Sequence, residues 1–355
     1  LKKDSYDQSM INFSPPNKLY SHIIGVDLIR TGKDDFYVLE DNCRTPSGVS
    51  YMLENREIMM KMFPDLFHSN RVLRVDDYPT RLLQTLMSLA PKKCESSVPT
   101  VVLLTPGHLN SAYYEHTFLS DQMGIEMVEA QDLFVENDFL YMKTVDGPKK
   151  IDVVYRRIDD DYLDPLAYNP NSVIGVPGIT HVYKTGGVNI CSAPGAGIAD
   201  DKAVYIYVPE MIKFYLGETP ILDNVKTWRC ERDDDLKYVL ENIDELVIKE
   251  VDGSGGHGML IGPKSTKQEI EDFSSKLKLH PEGYIAQPTL DLSSSPTLID
   301  NEISGRRVDL RPFCLLGEKV QLCPGGLTRV ALGKGSYVVN SSQGGGVKDT
   351  WVLAD

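Results

Sequence analysis

The chain is poor in the features that mark several large protein classes. It has six cysteines in 355 residues, scattered at 43, 94, 191, 230, 314 and 323, with no C-x-x-C and no histidine cluster at zinc spacing. That excludes a disulfide scaffold and a zinc-ribbon type of site, and reduced thiols in a cytoplasmic setting are the simplest expectation. Positive charge is in deficit: 37 Lys and Arg face 51 Asp and Glu, a formal charge of −14. A nucleic-acid backbone is therefore not expected as the main ligand, and any anion site has to be a local cluster of cations. No apolar run approaches the roughly 20 residues that cross a bilayer. The start, Leu-Lys-Lys-Asp, is neither a signal peptide nor an initiator methionine, so the chain reads as part of something longer. Its 41% hydrophobic and 25% charged residues are those of a globular protein of two or three domains.

What the sequence does have is one organising stretch, Glu245–Pro263. An apolar strand carrying Lys249 turns through Gly253-Ser254-Gly255-Gly256-His257-Gly258 and leaves as a second apolar strand ending at Gly262-Pro263. Glycines let backbone N–H groups crowd against an anion, and a lysine facing them adds a point charge, so the hairpin reads as a phosphate cover. A flexible tip that binds nothing is the competing reading. The spacing also matches G-x-G-x-x-G, but a dinucleotide fingerprint needs a helix after the loop and here a strand follows; the Gly-Lys-Ser/Thr of a Walker loop is absent.

Near the beginning, Ile23–Arg30 and Phe36–Asn42 read as two strands around a turn at 31–35. Asp27 stands on one, Glu40 and Asn42 share a face of the other, and three hard oxygen donors of this kind suit Mg²⁺; a solvated acidic hairpin is the alternative. A helix is expected through Glu54–Met62 with its methionines in the core, and another over 79–89. Strands at 99–105, 125–128, 140–143 and 151–155, with a helix from Tyr113, suggest a small α/β domain over 95–190. Arg156 and Arg157, followed by Asp159-Asp160-Asp161, leave the last strand either as substrate contacts or as a surface salt-bridge network.

Asp200 or Asp201 is placed to cap a helix running to Met211, and Lys202 in its first turn is awkward unless it faces an anion. A helix over 267–277 precedes a strand at 283–289 whose backbone could meet a planar ring. Arginines recur on the strands that follow, in Arg306-Arg307-Val-Asp309-Leu-Arg311 and Pro324-Gly-Gly-Leu-Thr-Arg329, ahead of Asn340-Ser-Ser-Gln-Gly-Gly-Gly346.

Assembled in this order, the motifs resemble an ATP-grasp enzyme in which the Glu40-x-Asn42 strand comes first rather than last. That resembles the circularly permuted ATP-grasp group, related to the synthetase half of glutathionylspermidine synthase. Val38–Tyr51, Tyr155–Asp161, Ala199–Ala203 and Asn340–Gly346 look like the signature of its type 2 branch. The resemblance implies an α+β ATP-grasp fold with a small α/β preATP-grasp-like domain: 1–94 as metal hairpin and helices, 95–190 as substrate domain, 191–355 as nucleotide-binding subdomains. It implies that Lys202 and Lys249 contact ATP phosphates under Gly253, Ser254, Gly255, Gly256 and Gly258. Ala286 and Gln287 would form the adenine hinge, and Asp27, Glu40 and Asn42 would hold Mg²⁺. Arg311 and Arg329 would steady the transferred phosphoryl group, with Arg44 beside them; His257 receives no role. The implied activity is an ATP-dependent carbon–nitrogen ligase acting on small-molecule or peptide carboxylates and amines, in the cytoplasm, with partner proteins of a peptide-modifying system conceivable. A phosphotransferase or a non-catalytic nucleotide-binding partner stands as the alternative.

Overall fold

The computed structural model describes residues 7–253, 258–333, 335, 336, 339 and 344–355. A large mixed sheet brings the two ends of the chain together. Its order is Asp223–Asn224, Phe36–Asn42, Ile23–Arg30, Glu302–Leu316, Val320–Val330 and Gly346–Asp349, with Ser294–Ile299 pairing the far part of Glu302–Leu316. Alternate residues of the Ile23–Arg30 strand, namely Ile23, Gly25, Asp27 and Ile29, are buried, so Asp27 projects from the same face as two core isoleucines. Helices Val49–Met62 and Tyr78–Ser88 cover this sheet through Met52, Tyr78, Leu82 and Leu86. The expected methionine packing holds only for the first turn: Met52 is buried, whereas Met60 and Met62 are 51% and 65% exposed. Arg56, halfway along, is still buried against Asp349 and the Leu73 and Thr350 carbonyls, and beyond it Ile58, Met60 and Met62 stay exposed.

A parallel four-stranded sheet, Glu126–Val128, Val101–Leu104, Val153–Arg156 and Asn189–Cys191, adjoins it. Val101–Leu104 is buried throughout, as its unbroken apolar run requires between two covered faces. The strand read as 151–155 is two strands. Ile151 ends a separate three-stranded meander, Asp152 turns inward to accept from the Thr100 amide at 2.9 Å, and Val153 opens the parallel sheet. In that meander Asn137 and Asp138 both take positive φ, the requirement of a two-residue type I′ hairpin.

The third unit is an antiparallel sheet, Trp228–Arg229, Tyr284–Pro288, Leu246–Glu250 and Leu260–Ile261, backed by helices Asp233–Glu241 and Lys267–Leu279. Thr266 and Glu269 form a reciprocal capping box that starts the second of these helices. The helix expected after Lys202 is instead broken into Lys202–Tyr205 and Val208–Met211, because Pro209 has no N–H and starts a new turn.

Candidate active site

The sheet register sets Asp27 opposite Glu40, and Leu28 opposite Leu310 on the other side, so the acidic hairpin lies directly against the arginine strand. Asp27 is clamped by two guanidiniums 284 and 302 positions away: Arg311 holds both of its oxygens, with Nη2 at 2.8 Å from Oδ2, and Arg329 Nη2 lies 2.6 Å from Oδ2. Burial alone would raise the Asp27 carboxyl, but the two guanidiniums outweigh it and hold the group well below the usual carboxylate range. Arg329 is fixed from behind by Asp309 Oδ1 at 2.9 Å, and Arg311 Nη1 reaches the Ser47 carbonyl at 3.1 Å.

This alters the metal expectation. Asp27 was expected as a third ligand, yet both of its oxygens are committed to arginines. Among the described residues no group of three or more His, Cys, Asp or Glu is arranged to hold an ion. Glu40 and Asn42 remain open to the cavity: Glu40 Oε2 lies 3.3 Å from Lys202 Nζ, and the buried Asn42 amide nitrogen has no hydrogen-bond partner among the described residues. Magnesium takes one or two protein oxygens and leaves its other positions to water and phosphate, so Glu40 and Asn42 fit it as a partial ligand set. Between them Asp41, which the sequence reading passed over, is pushed up to about 6 by burial first and then by Asp200, Asp27 and Glu40.

The two lysines converge from different units. Lys202 donates to the Gly253 carbonyl at 2.6 Å, tying the start of the glycine loop to the acidic hairpin. Lys249 donates to Gln287 Oε1 at 2.8 Å, and burial lowers its pKa. Of the glycine loop, Ser254, Gly255, Gly256 and His257 lie outside the described residues, as do Asn340 to Gln343 of the last signature. Gly258 has φ +67, and a Cβ there would stand 2.6 Å from Glu250 Cδ, so a side chain would meet both strain and a clash.

Two spaces meet at these groups. One is a slot of about 110 Å³ walled by Ile29, Leu39, Val247, Ile261, Leu290 and Leu292, with Lys249, Gln287, Thr289 and Asp309 at its polar edge. The other is a polar cavity of about 370 Å³ that gathers Glu40, Asp41, Asn42, Arg44, Lys202, Gly253, Arg311 and Arg329. The bonded Asp309–Arg329 pair links them, with Asp309 on the slot and Arg329 on the cavity, and Lys249 lines the slot. Of the two expected hinge residues, Ala286 is fully buried between Trp228 and Ile248 on the two neighbouring strands, while Gln287 lines the slot, whose wall continues through Pro288 to Leu290.

Arg156 and Arg157 do not form a surface network. Arg156 is 0% exposed, donates to the Ser192, Ile158 and Ala193 carbonyls at 2.6, 2.9 and 3.1 Å, and pairs with Asp160 at 2.5 Å. Arg157 reaches the cavity wall, holding the Pro46 carbonyl at 2.9 Å, Ser47 Oγ at 2.5 Å and Glu115 at 3.2 Å. Glu115, another residue not singled out from the sequence, accepts from the Gly48 and Ser50 amides at 2.7 and 3.1 Å. It thereby caps the Val49–Met62 helix, whose own N-cap Gly48 has no side chain to do so. Asp200 accepts from the Cys43 and Arg44 amides at 2.6 and 3.2 Å, while Asp201 makes the helix cap. Arg44 lies 3.4 Å from Asp159 and 3.9 Å from Asp200. His116 lines the same wall with Nδ1 2.9 Å from Thr105 Oγ1; burial and then Arg157 push it down to about 3, which keeps it neutral.

Sheets facing one another across a cation-rich cleft, with the acidic Glu-x-Asn strand first in the chain, define an ATP-grasp fold in permuted order. The chain belongs to the circularly permuted ATP-grasp type 2 family, whose profile matches residues 1–331. It is 53% identical over 344 residues to an uncharacterized protein of Synechocystis, covering 97% of this chain and 71% of that one. An uncharacterized protein of Mycobacterium tuberculosis is 51% identical over 352 residues, covering 99% and 64%. A putative glutamate–cysteine ligase of Frankia casuarinae is 39% identical over 340 residues, covering 95% of this chain and 39% of its own length. Among solved structures, a glutathione synthetase-like effector of Globodera pallida in its apo form superposes with TM-score 0.61 at 12% identity over 94% of this chain and 76% of its own, a likeness of fold. No helix among the described residues is long and apolar enough to cross a membrane.

Proposed function

We propose that this chain carries the ATP-dependent step of a carbon–nitrogen ligase. A substrate carboxylate is phosphorylated to an acyl phosphate, and an amine displaces the phosphate to form an amide. The observation that carries this reading is the single polar cavity in which Glu40, Asn42, Lys202, Arg311 and Arg329 face one space. Carboxylate and phosphate repel each other, so their reaction needs cations fixed beforehand where charge accumulates. Arg311 and Arg329 are prefixed by Asp27 and Asp309 and cost little reorganisation. Lys202 and Lys249 would draw the triphosphate between the cavity and the apolar slot, whose walls suit a planar base. Glu40 and Asn42 would hold Mg²⁺, which when bound offsets charge on the phosphate oxygens. Gly253 and Gly258 would frame the cover that keeps water out. The putative glutamate–cysteine ligase relative supports carboxylate–amine chemistry.

Hydroxylamine in place of the natural amine tests the reading, with ADP release measured over a panel of carboxylates. A ligase accumulates hydroxamate in step with ADP, whereas a phosphotransferase releases ADP without hydroxamate and a non-catalytic binder releases none. The double variant Glu40→Ala, Asn42→Ala is expected to abolish Mg²⁺-dependent turnover; undiminished turnover would remove the metal assignment.

A further inference from the structure

A stretch that neither the fold nor the site has used follows the helices after Lys202. From Met211 to Leu222 the chain makes a wide helical turn, Ile212–Leu216, closed by Gly217 at φ +69, and returns through Pro220 to the edge strand Asp223–Asn224. Both ends are tied to the Phe36–Asn42 strand: Tyr205 Oη donates to the Val38 carbonyl at 2.6 Å, and the Val225 amide donates to the same carbonyl at 2.9 Å. The tip between them is apolar and bare. Phe214, Tyr215, Leu216 and Ile221 are 81%, 76%, 65% and 99% exposed, and the two rings stand edge to face with centroids 4.9 Å apart. With Met211 and Leu222 these side chains offer apolar surface on the order of 700 Å². The largest apolar patch of an ordinary monomer is about 300–600 Å², and a stable protein interface takes about 800 Å² from each partner.

At the opposite edge of the large sheet lies a concave counterpart. A groove of about 550 Å³ is walled by Leu53, Met60, Phe67, Val72, Pro79 and Phe118. It adjoins the last strand, Gly346–Asp349, and the residues after it: Arg56 is bonded to Asp349 at 2.8 Å, the Phe67 ring lies 4.5 Å from that of Trp351, and Val72 bridges to Leu353. Five strand spacings, about 24 Å, separate this edge from Asp223–Asn224. An arm fixed at both of its ends on one edge does not cross to a groove on the other, so the groove it can enter is that of another copy. Charge agrees, with Lys213 on the arm and exposed Glu57 on the rim of the groove. A lipid surface fits less well, since Glu210, Glu218 and Asp223 flank the arm and the chain carries −14 overall.

We propose that two copies of this chain pair about a two-fold axis, each laying its Met211–Leu222 arm in the apolar groove of the other. Reciprocal exchange covers both arms and both grooves and closes the assembly, whereas one-way stacking leaves an open arm and an open groove at the ends of a growing fibre. Phe214 and Tyr215 are the anchors, because aromatic rings seated in a desolvated pocket carry a disproportionate share of binding energy. Two acidic chains repel one another through a field that salt screens, so pairing strengthens as ionic strength rises.

Sedimentation velocity of the whole chain over a dilution series tests this. A dimer is expected at micromolar concentration, more fully formed in high salt than in low. The arm variant Phe214→Ser, Tyr215→Ser and the groove variant Met60→Glu are each expected to weaken pairing at least about thirtyfold. Their circular dichroism should be unchanged, because all three side chains are exposed. Mixing the two variants is the decisive step. The arm variant keeps its groove and the groove variant keeps its arm, so one of the two contacts returns, and a heterodimer should form where neither variant dimerises alone. A groove variant that still dimerises would overturn the contact, as would a mixture that stays monomeric. An unaltered chain that is monomeric at about 100 µM overturns the proposal outright, and binding of that monomer to phosphatidylcholine–phosphatidylserine vesicles would give the arm to a lipid surface instead. Masses that grow beyond the dimer with concentration overturn the closed two-fold arrangement.

Discussion

Two pairs of arginines, Arg156 with Arg157 and Arg311 with Arg329, lie on or at the ends of strands of neighbouring sheets, all buried but the half-buried Arg311, and differ in what holds them. Arg156 spends its donors on backbone carbonyls and on Asp160, and fastens the ends of the parallel strands together. Arg311 and Arg329 share one carboxylate, Asp27, and both keep a face on the polar cavity. The residue type is the same, but the acceptors decide the role. Guanidiniums saturated by backbone carbonyls are joints, whereas on the function proposed above the two gathered around a shared acid at the cavity would meet an anion. Arg157 stands between the two cases, bonded to Pro46 and Glu115 yet lining the cavity.

The contrast can be broken most sharply at Arg156. Arg156→Leu leaves Asp160 and three carbonyls unpaired, and chemical denaturation should show about 3–5 kcal/mol lost, the usual cost of breaking a buried ion pair from one side. Arg311→Lys should have the opposite profile. Asp27 keeps Arg329, so the unfolding midpoint moves little, while ATP-dependent ADP release falls about 10²–10³-fold, as when one preorganised donor is lost from a reacting centre. Near-normal turnover in that variant would end the claim that the pair is poised for phosphoryl transfer.

A pH series sharpens the comparison further, because His22 and His116 are each depressed chiefly by burial and next by an arginine of the structural pair. His22 is pushed down to about 4, with Arg156 assisting, and His116 to about 3, with Arg157 assisting. Such a group is protonated first in the unfolded chain, so its contribution is complete above the ordinary value of 6.5 and is lost as the pH falls below it. The decline is about 1.4 kcal/mol per pH unit for each histidine. Asp41, raised to about 6, opposes it between its ordinary 3.8 and that value. Stability measured between pH 7 and 5 should therefore fall with acidity, and His22→Gln should flatten the fall. The smallest effect is expected at Arg74, whose exposed pairing with Asp76 joins neither group; Arg74→Ala should leave both turnover and unfolding unchanged.

Local pattern made much of the fold legible. The alternation of Ile23–Arg30 and the Glu-x-Asn spacing of the next strand could be read directly, because strand faces repeat every two residues. Thr266-x-x-Glu269 marked a helix start that the same kind of reading could have fixed. The pairing of Asp27 with Arg311 and Arg329 could not be read, since it depends on a ladder joining segments nearly the whole chain apart. Nor could the burial of Arg156: its acceptors are carbonyls of residues 192 and 193, and backbone groups leave no trace in residue identity. The exposed Met60 and Met62 misled because helical spacing says which residues share a face, and only the packing of whole elements says where that face ends.

The loop 43–48 is gripped from several layers at once: Asp200 takes its Cys43 and Arg44 amides, Arg157 its Pro46 carbonyl, Arg311 its Ser47 carbonyl and Glu115 its Gly48 amide. That makes it the anvil of the cleft. On the function proposed above it is the floor against which a nucleotide would be pressed, and deuterium should enter the Gly48 and Ser50 amides among the last in the molecule.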